Sequence, residues 1–498
     1  MTNQKSETRP EPERGILNLK FSGMAHGGEG LARDESGRVI FVPYAIAGEI
    51  ARVEIVEARR GFARGRIVEL LEASPARVEP RCPHFPPSPN GAGTRRSPYE
   101  SNASPSPGGA GTRRSPYESN ASPSPGGAGT RRSPYESNAS PLPVTEPALS
   151  VSKGHPSLFC GGCQWQHIAY DAQLEFKTQI VREQFARLAK FPDAPVLPII
   201  PARNQWFYRN NMQFVVNEHG RLCLQAHDSH LRVPIDECFV MHPALGEMHK
   251  TLELDPESFN GVTLRTGENT GDRFIILESD DPETPEIETD EPASIAFSSG
   301  DVTAPILGKE RLTERVGART FEISPDAFFQ INTAMAEELV RLVGEFLAPC
   351  ATDVLLDAYG GVGLFGLTFA PRVARVIEIE ENPNALGDAQ ANAADLNNVE
   401  FHQGRVEQVL PKLDGKLDLA VVDPPRAGLD RFALDALAAK QPRTLVYVSC
   451  DPATLARDAA RLIQHGYALE RVQPVDMFPQ TFHVECVAAF RRARFSGD

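Results

Sequence analysis

Apolar and polar residues alternate over short stretches near the start of the chain. Residues 16–21, 39–42, 49–55 and 65–70 each read as a strand, parted by Gly-rich turns at Gly27-Gly28 and Ser36-Gly37. Several strands in so short a span predict a small closed OB-like β-barrel over 15–73, a fold that often binds oligonucleotides. Over 168–189 the apolar residues Ile168, Leu174, Ile180, Val181, Phe185 and Leu188 fall at helical spacing. Residues 205–225 alternate like a hairpin turning at Gly220, and 262–264 and 273–277 read as further strands of a central α+β region over 74–323. From Ser324 the pattern changes. A helix over 334–346 precedes buried apolar runs at 354–357, 373–379, 417–422 and 445–448, with helical stretches between them. That alternation predicts a parallel, doubly wound, Rossmann-like α/β sheet over 324–498.

Composition changes this picture in three places. The unit GTRRSPYESNASPSPGGA starts at Gly93 and Gly111 and, truncated, at Gly129. It is too poor in apolar residues to offset ordering entropy, so 86–156 is expected to be a disordered insertion in the central region, as is the tail 1–14. A passive insertion is favoured over diffuse RNA binding through its repeated Arg and Tyr. The formal charge is −15, which argues weakly against a nucleic-acid partner, but eight of the acidic residues lie in 278–291. The stretch 278–305 therefore reads as a solvated acidic loop, while Arg59, Arg60, Arg64 and Arg66 cluster near the end of the barrel. The first residues have no apolar h-region and no run of 18 apolar residues exists, so a cytoplasmic protein without a membrane partner is expected. Eight cysteines in such a chain are ligands, catalysts or core residues before they are disulfides.

Three constellations carry chemistry. Gly361-x-Gly363-x-x-Gly366 follows a strand and opens a helix, Glu380 ends the next strand, and Asp423-Pro424-Pro425-Arg426 ends a third. The cofactor of such a site is a dinucleotide or S-adenosylmethionine. Cys82, Cys160, Cys163 and Cys238 form a thiol set suited to zinc or to an iron–sulfur cluster, whereas Cys223, Cys350 and Cys486 read as core residues. The run Thr444 to Asp458 delivers Cys450 from a strand end to a helix start marked by Pro452, where a thiol pKa can fall. A lone cysteine there is more often a core residue. A nucleophilic one would add to C6 of a pyrimidine, and His483 or Glu485 would remove the C5 proton.

The residues 23–30 with Val42-Pro43 resemble the TRAM domain of RNA-modifying enzymes. The runs YVSC, ATLARD, DMFP and HVE around Cys450 and Glu485 resemble the RNA 5-methyluridine methyltransferase family, as do YRNNMQF, FFQIN, DAYGGVG and DPPRAGL. The resemblance implies Cys450 as nucleophile, Glu485 as base, and Gln330, Tyr359, Glu380 and Asp423, with Gly361 and Gly363, around S-adenosylmethionine. It implies a [4Fe–4S] cluster on Cys82, Cys160, Cys163 and Cys238. Family members with both barrel and cluster act mostly on 23S ribosomal RNA, which becomes the expected partner, with tRNA as the alternative. A monomer is expected. A further reading is an RNA-binding protein with a vestigial methyltransferase fold.

The sequence departs from the family in four places. The insertion separates Cys82 from Cys160, which lie close in the family; closure entropy rises only slowly with loop length. Position 360 is Gly where Cys is frequent. Position 405 is Arg where an acid or amide is common, which leaves Arg405 outside the expected site. Asp451 replaces a frequent Asn, and its carboxylate would oppose a low thiolate pKa unless it caps the helix.

Overall fold

A computed structural model of the chain describes residues 15–87, 159–227, 229–284, 287, 289, 291–300 and 302–492. The tail 1–14, the repeats within 88–156 and the acidic positions 286, 288 and 290 lie outside the described residues.

Five strands, Ile16–Met24, Gly30–Arg33, Val39–Val42, Ile50–Ala58 and Phe62–Glu72, close into a barrel around Phe21, Ile40, Val42 and Val53. The strand Gly30–Arg33 lies where only a glycine-rich turn was expected. Gly30 permits it, because a Cβ there would lie 2.6 Å from Ala45. The basic cluster is largely compensated: Arg59, Arg64 and Arg66 pair with Glu57, Glu29 and Glu54.

Leaving the barrel, the chain runs beside the segment that re-enters at 159. Val78 N–H donates to the His167 carbonyl at 2.9 Å, and Cys160 N–H to that of His84 at 2.9 Å. The helix Tyr170–Arg187 follows, then a seven-stranded sheet. In that sheet Ser294–Ser299 runs parallel to Arg273–Glu278, and Val302–Leu307 pairs beside it. The expected acidic loop 278–305 is therefore too long. Ile295, Ala296 and Phe297 are buried, and burial of that apolar run holds a strand inside the charged stretch. Cys223 and Cys486 are buried as expected, but Cys350 is exposed and is not a core residue.

The last region is a second seven-stranded sheet: β1 (Val354–Ala358), β2 (Arg375–Glu380), β3 (Val399–Gln403), β4 (Leu419–Val422), β5 (Thr444–Ser449), β6 (Tyr467–Val475) and β7 (Glu485–Arg492). The order is β3-β2-β1-β4-β5-β7-β6. Strands β1 to β5 are parallel, while β7 is antiparallel to both β5 and β6. The four strands read from the sequence, β1, β2, β4 and β5, are parallel as expected, whereas β3, β6 and β7 were not read as strands. The loop 476–484 is too short for a helical crossover, so β6 and β7 must run antiparallel. Both faces are covered, and the strands are buried almost throughout. No helix among the described residues is long and apolar enough to cross a membrane.

Candidate active site

The carboxyl ends of β1, β2, β4 and β5 all point to one edge of the sheet. There a cavity of about 1350 Å³ opens, lined by Gln330, Tyr359, Gly361, Glu380, Asp423, Cys450 and Glu485 among others. Register explains the pairing at one end. Ser449 of β5 stands opposite Cys486 of β7, so in an antiparallel pair the next residue on β5, Cys450, faces the residue before Cys486, which is Glu485.

At the other end β1 turns into the glycine loop. Tyr359 has φ of +66° and Gly361 of +59°, the left-handed region. Glu380 accepts the Gly361 N–H at 2.9 Å and the Asn382 N–H at 2.7 Å, so its carboxylate is fixed at the cavity wall. Gly363 is absent from that wall. It has φ of +91°, and a Cβ there would lie 2.4 Å from Leu367, so its part is to let the turn pack. Gly366 N–H donates to Asp357 Oδ2 at 2.5 Å.

Beneath this loop lies a feature that no sequence signal marked. Asp357 and Glu378 are register partners on β1 and β2, and both are fully buried. Neither oxygen of Glu378, nor Asp357 Oδ1, has a hydrogen-bond partner. Burial, with Glu380 adding to it, pushes the Asp357 carboxyl up to about 7, and burial, then Asp357 and Glu380, raises Glu378 well above the usual range. Position 360 sits on top of Glu378: a Cβ there would be 2.5 Å from Glu378 Cγ, so glycine fits where a cysteine would not.

The electrostatics at Cys450 reverse one expectation. Its thiol is pushed up to about 11, first by burial and then by the Glu485 and Asp423 carboxyl groups, with Arg426 opposing them. The helix start does not lower it, because Asp451 caps that helix and takes the amide N–H groups of Ala453 and Thr454 at 2.8 and 2.9 Å. Burial, then Asp423, also raises Glu485, and burial, then Asp357, pushes Asp423 up to about 7. His483 is pushed down to about 4 by burial and by Arg426, Lys177, Arg209 and His26. It stacks on Phe482 with ring centres 4.3 Å apart. Of the two candidate bases, Glu485 is thus the stronger and His483 a neutral wall. Arg405, left outside the expected site, lines the cavity and pairs with Glu407 at 2.8 Å. Phe328, 72% exposed, and Arg209 line it too; within FFQIN and YRNNMQF their roles had no readable signal.

The loop carrying His483 is held from the central region. Lys177 Nζ donates to the Phe478 carbonyl at 3.1 Å, Tyr208 OH to that of Pro479 at 3.0 Å, and Trp165 N–H to that of Gln480 at 3.0 Å.

A second cavity, of about 940 Å³, is lined by Cys82, Cys160, Cys163 and Cys238. All four are free thiols. Burial raises every one of them, Cys82 to about 11 and Cys160 to about 12, and Cys238 adds to the rise at each of the other three. Among the described residues no three metal-binding side chains converge on a single ion position.

A strand order of this kind, with a glycine loop, an acid after the second strand and a cavity at the carboxyl edge, defines an adenosylmethionine-dependent methyltransferase fold. Comparison with known proteins narrows it. The family described as tRNA (Uracil-5-)-methyltransferase matches residues 307–493, and the TRAM domain matches 13–68. An uncharacterized RNA methyltransferase of Thermosynechococcus vestitus is 30% identical, the match covering 95% of this chain and 97% of that one. One of Streptomyces avermitilis is 31% identical over 95% and 98%. The crystal structure of Pyrococcus abyssi tRNA (uracil-54, C5)-methyltransferase with S-adenosyl-L-homocysteine superposes with a TM-score of 0.63, at 24% identity, covering 95% of this chain and all of that one, and so shares the fold. The chain belongs to the RNA (uracil-5-)-methyltransferase family, with a TRAM barrel ahead of the methyltransferase domain. It is an RNA methyltransferase that uses S-adenosylmethionine.

Proposed function

We propose that the enzyme methylates C5 of a uridine in ribosomal RNA through a covalent bond between Cys450 and C6. The observation that carries this reading is the antiparallel register that sets Cys450 against Glu485, at one end of a cavity whose other end is the glycine loop.

S-adenosylmethionine supplies an electrophilic methyl group when bound; Gln330, Tyr359, Gly361, Glu380 and Asp423 would hold it. The target base must leave its stack to reach the cavity. Cys450 first gives its proton to solvent water, and its sulfur then adds to C6, which makes C5 nucleophilic. C5 takes the methyl group, and S-adenosylhomocysteine leaves. Glu485 then removes the C5 proton; the C6–S bond breaks, and the pyrimidine double bond re-forms. Burial, with Asp423 close to both, disfavours charge on Cys450 and raises the basicity of the Glu485 carboxylate that takes the proton.

Cys82, Cys160, Cys163 and Cys238 would hold a [4Fe–4S] cluster. What speaks for it is the donor chemistry alone: four free thiols line one cavity. Barrel and thiol set together favour 23S ribosomal RNA over tRNA. The enzyme would act as a cytoplasmic monomer.

Mapping 5-methyluridine in 23S RNA and tRNA from a deletion strain, complemented with wild type or Cys450→Ala, tests both parts. Loss of one 23S methyluridine, restored only by wild type, is expected. Restoration by Cys450→Ala overturns the covalent route, and a methyluridine missing from tRNA instead overturns the substrate.

A further inference from the structure

His26 lies in the barrel turn between Ile16–Met24 and Gly30–Arg33, and its Nε2 stands 3.3 Å from Asp451 Oδ2. The two residues are 425 positions apart in the chain. Asp451 directly follows Cys450, and its other oxygen caps the helix Pro452–Gln464. Burial works to raise the Asp451 carboxyl, but His26 and the two helix amides outweigh it and hold it at about 2. A carboxylate therefore stands beside the cysteine, with one oxygen committed to the helix and the other to the barrel. The turn is also fixed in place. A Cβ on Gly28 would lie 2.6 Å from the Phe482 ring, and Trp165 Nε1 donates to the Gly28 carbonyl at 2.9 Å.

We infer that His26 is a positioning residue for Cys450. It acts through Asp451, engaging the carboxylate oxygen that the helix leaves free and keeping the other turned toward the helix amides. On this view the barrel does more than grip RNA: it completes the surroundings of the cysteine. An Asn at position 451 would cap the helix but would bring no second carboxylate oxygen to His26, so His26 and the Asp are a matched pair. The inference rests on Cys450 being the nucleophile.

The test uses the full chain without RNA. The rate at which iodoacetamide alkylates Cys450, followed by mass spectrometry of its peptide, reports how readily the thiolate forms. His26→Ala is expected to slow it about fivefold, because a carboxylate no longer held at the barrel is free to turn toward the sulfur and oppose the thiolate. In an Asp451→Asn background the same substitution should change nothing, and kcat for methyl transfer should follow this pattern with the adenosylmethionine KM unmoved. Wild-type alkylation in His26→Ala, or equal slowing in both backgrounds, overturns the inference; equal slowing would make the turn a plain structural support. Failure of the covalent route would show separately, as methyl transfer by Cys450→Ala.

Discussion

Lys177 Nζ lies 2.6 Å from Asp476 Oδ1, and both side chains are fully buried. Tyr170 OH completes the site by donating to Asp476 Oδ2 at 2.7 Å. The pair joins the helix Tyr170–Arg187 to the start of the loop 476–484, which leads to Glu485. Breaking such a pair strands a buried charge, which costs more than the pair itself is worth. Lys177→Met is expected to lower stability by about 3–5 kcal/mol. Adding Asp476→Asn should recover part of it. A urea titration of the wild type and the two variants checks this, and equal midpoints for the single and double variants would refute the coupling.

Glu485→Gln should stop the reaction late. The glutamine cannot take the C5 proton, so Cys450 stays bound to the methylated base. Turnover should fall by about 10²–10⁴-fold. A denaturing gel with labelled RNA should show a protein–RNA adduct that Cys450→Ala does not form. An unreactive Glu485→Gln without adduct would move the base elsewhere.

The Asp357–Glu378 pair predicts a pH dependence of stability. Both groups have folded pKa values raised above their unfolded ones, Asp357 to about 7. The contribution of Asp357 is fully present below its unfolded value near pH 4 and is lost as pH rises through about 7, and that of Glu378 is lost in the same direction. Glu378→Gln keeps the shape of the neutral acid. At pH 8 it should raise the Tm of the ligand-free enzyme by about 2–4 °C, and at pH 5 it should have little effect. An equal shift at both pH values would show that charge is not involved.

If the four thiols hold a cluster, anaerobically purified enzyme should contain about four iron and four sulfide per chain, with a broad visible absorption. Cys163→Ser should lose most of both. Iron content unchanged by Cys163→Ser would remove that residue from the set.

Much of this architecture is written in local pattern. The run into Cys450 reads as a strand ended by Pro452, because both signals lie within a few residues. The glycine loop after β1 is equally local. What the pattern misses is set at a distance. The thiol of Cys450 goes up and not down because the fold buries it, and because Glu485 and Asp423 then arrive from other strands. Glu378 reads as one more strand residue until β1 and β2 are laid side by side. Gly363 matches a cofactor motif yet serves packing, and Arg405 departs from the family yet reaches the cavity. The register that sets Cys450 near Glu485 depends on the antiparallel β7, a strand the sequence reading did not include.

The hydrogen bond from Cys160 to His84 brings together the two ends of the stretch 88–158. Both borders of that stretch are pinned by the folded body, so its length is nearly irrelevant to the fold. The site is a natural splice point. A reporter domain could be carried there, or the chain could be opened there and its old termini joined, with the catalytic sheet left intact.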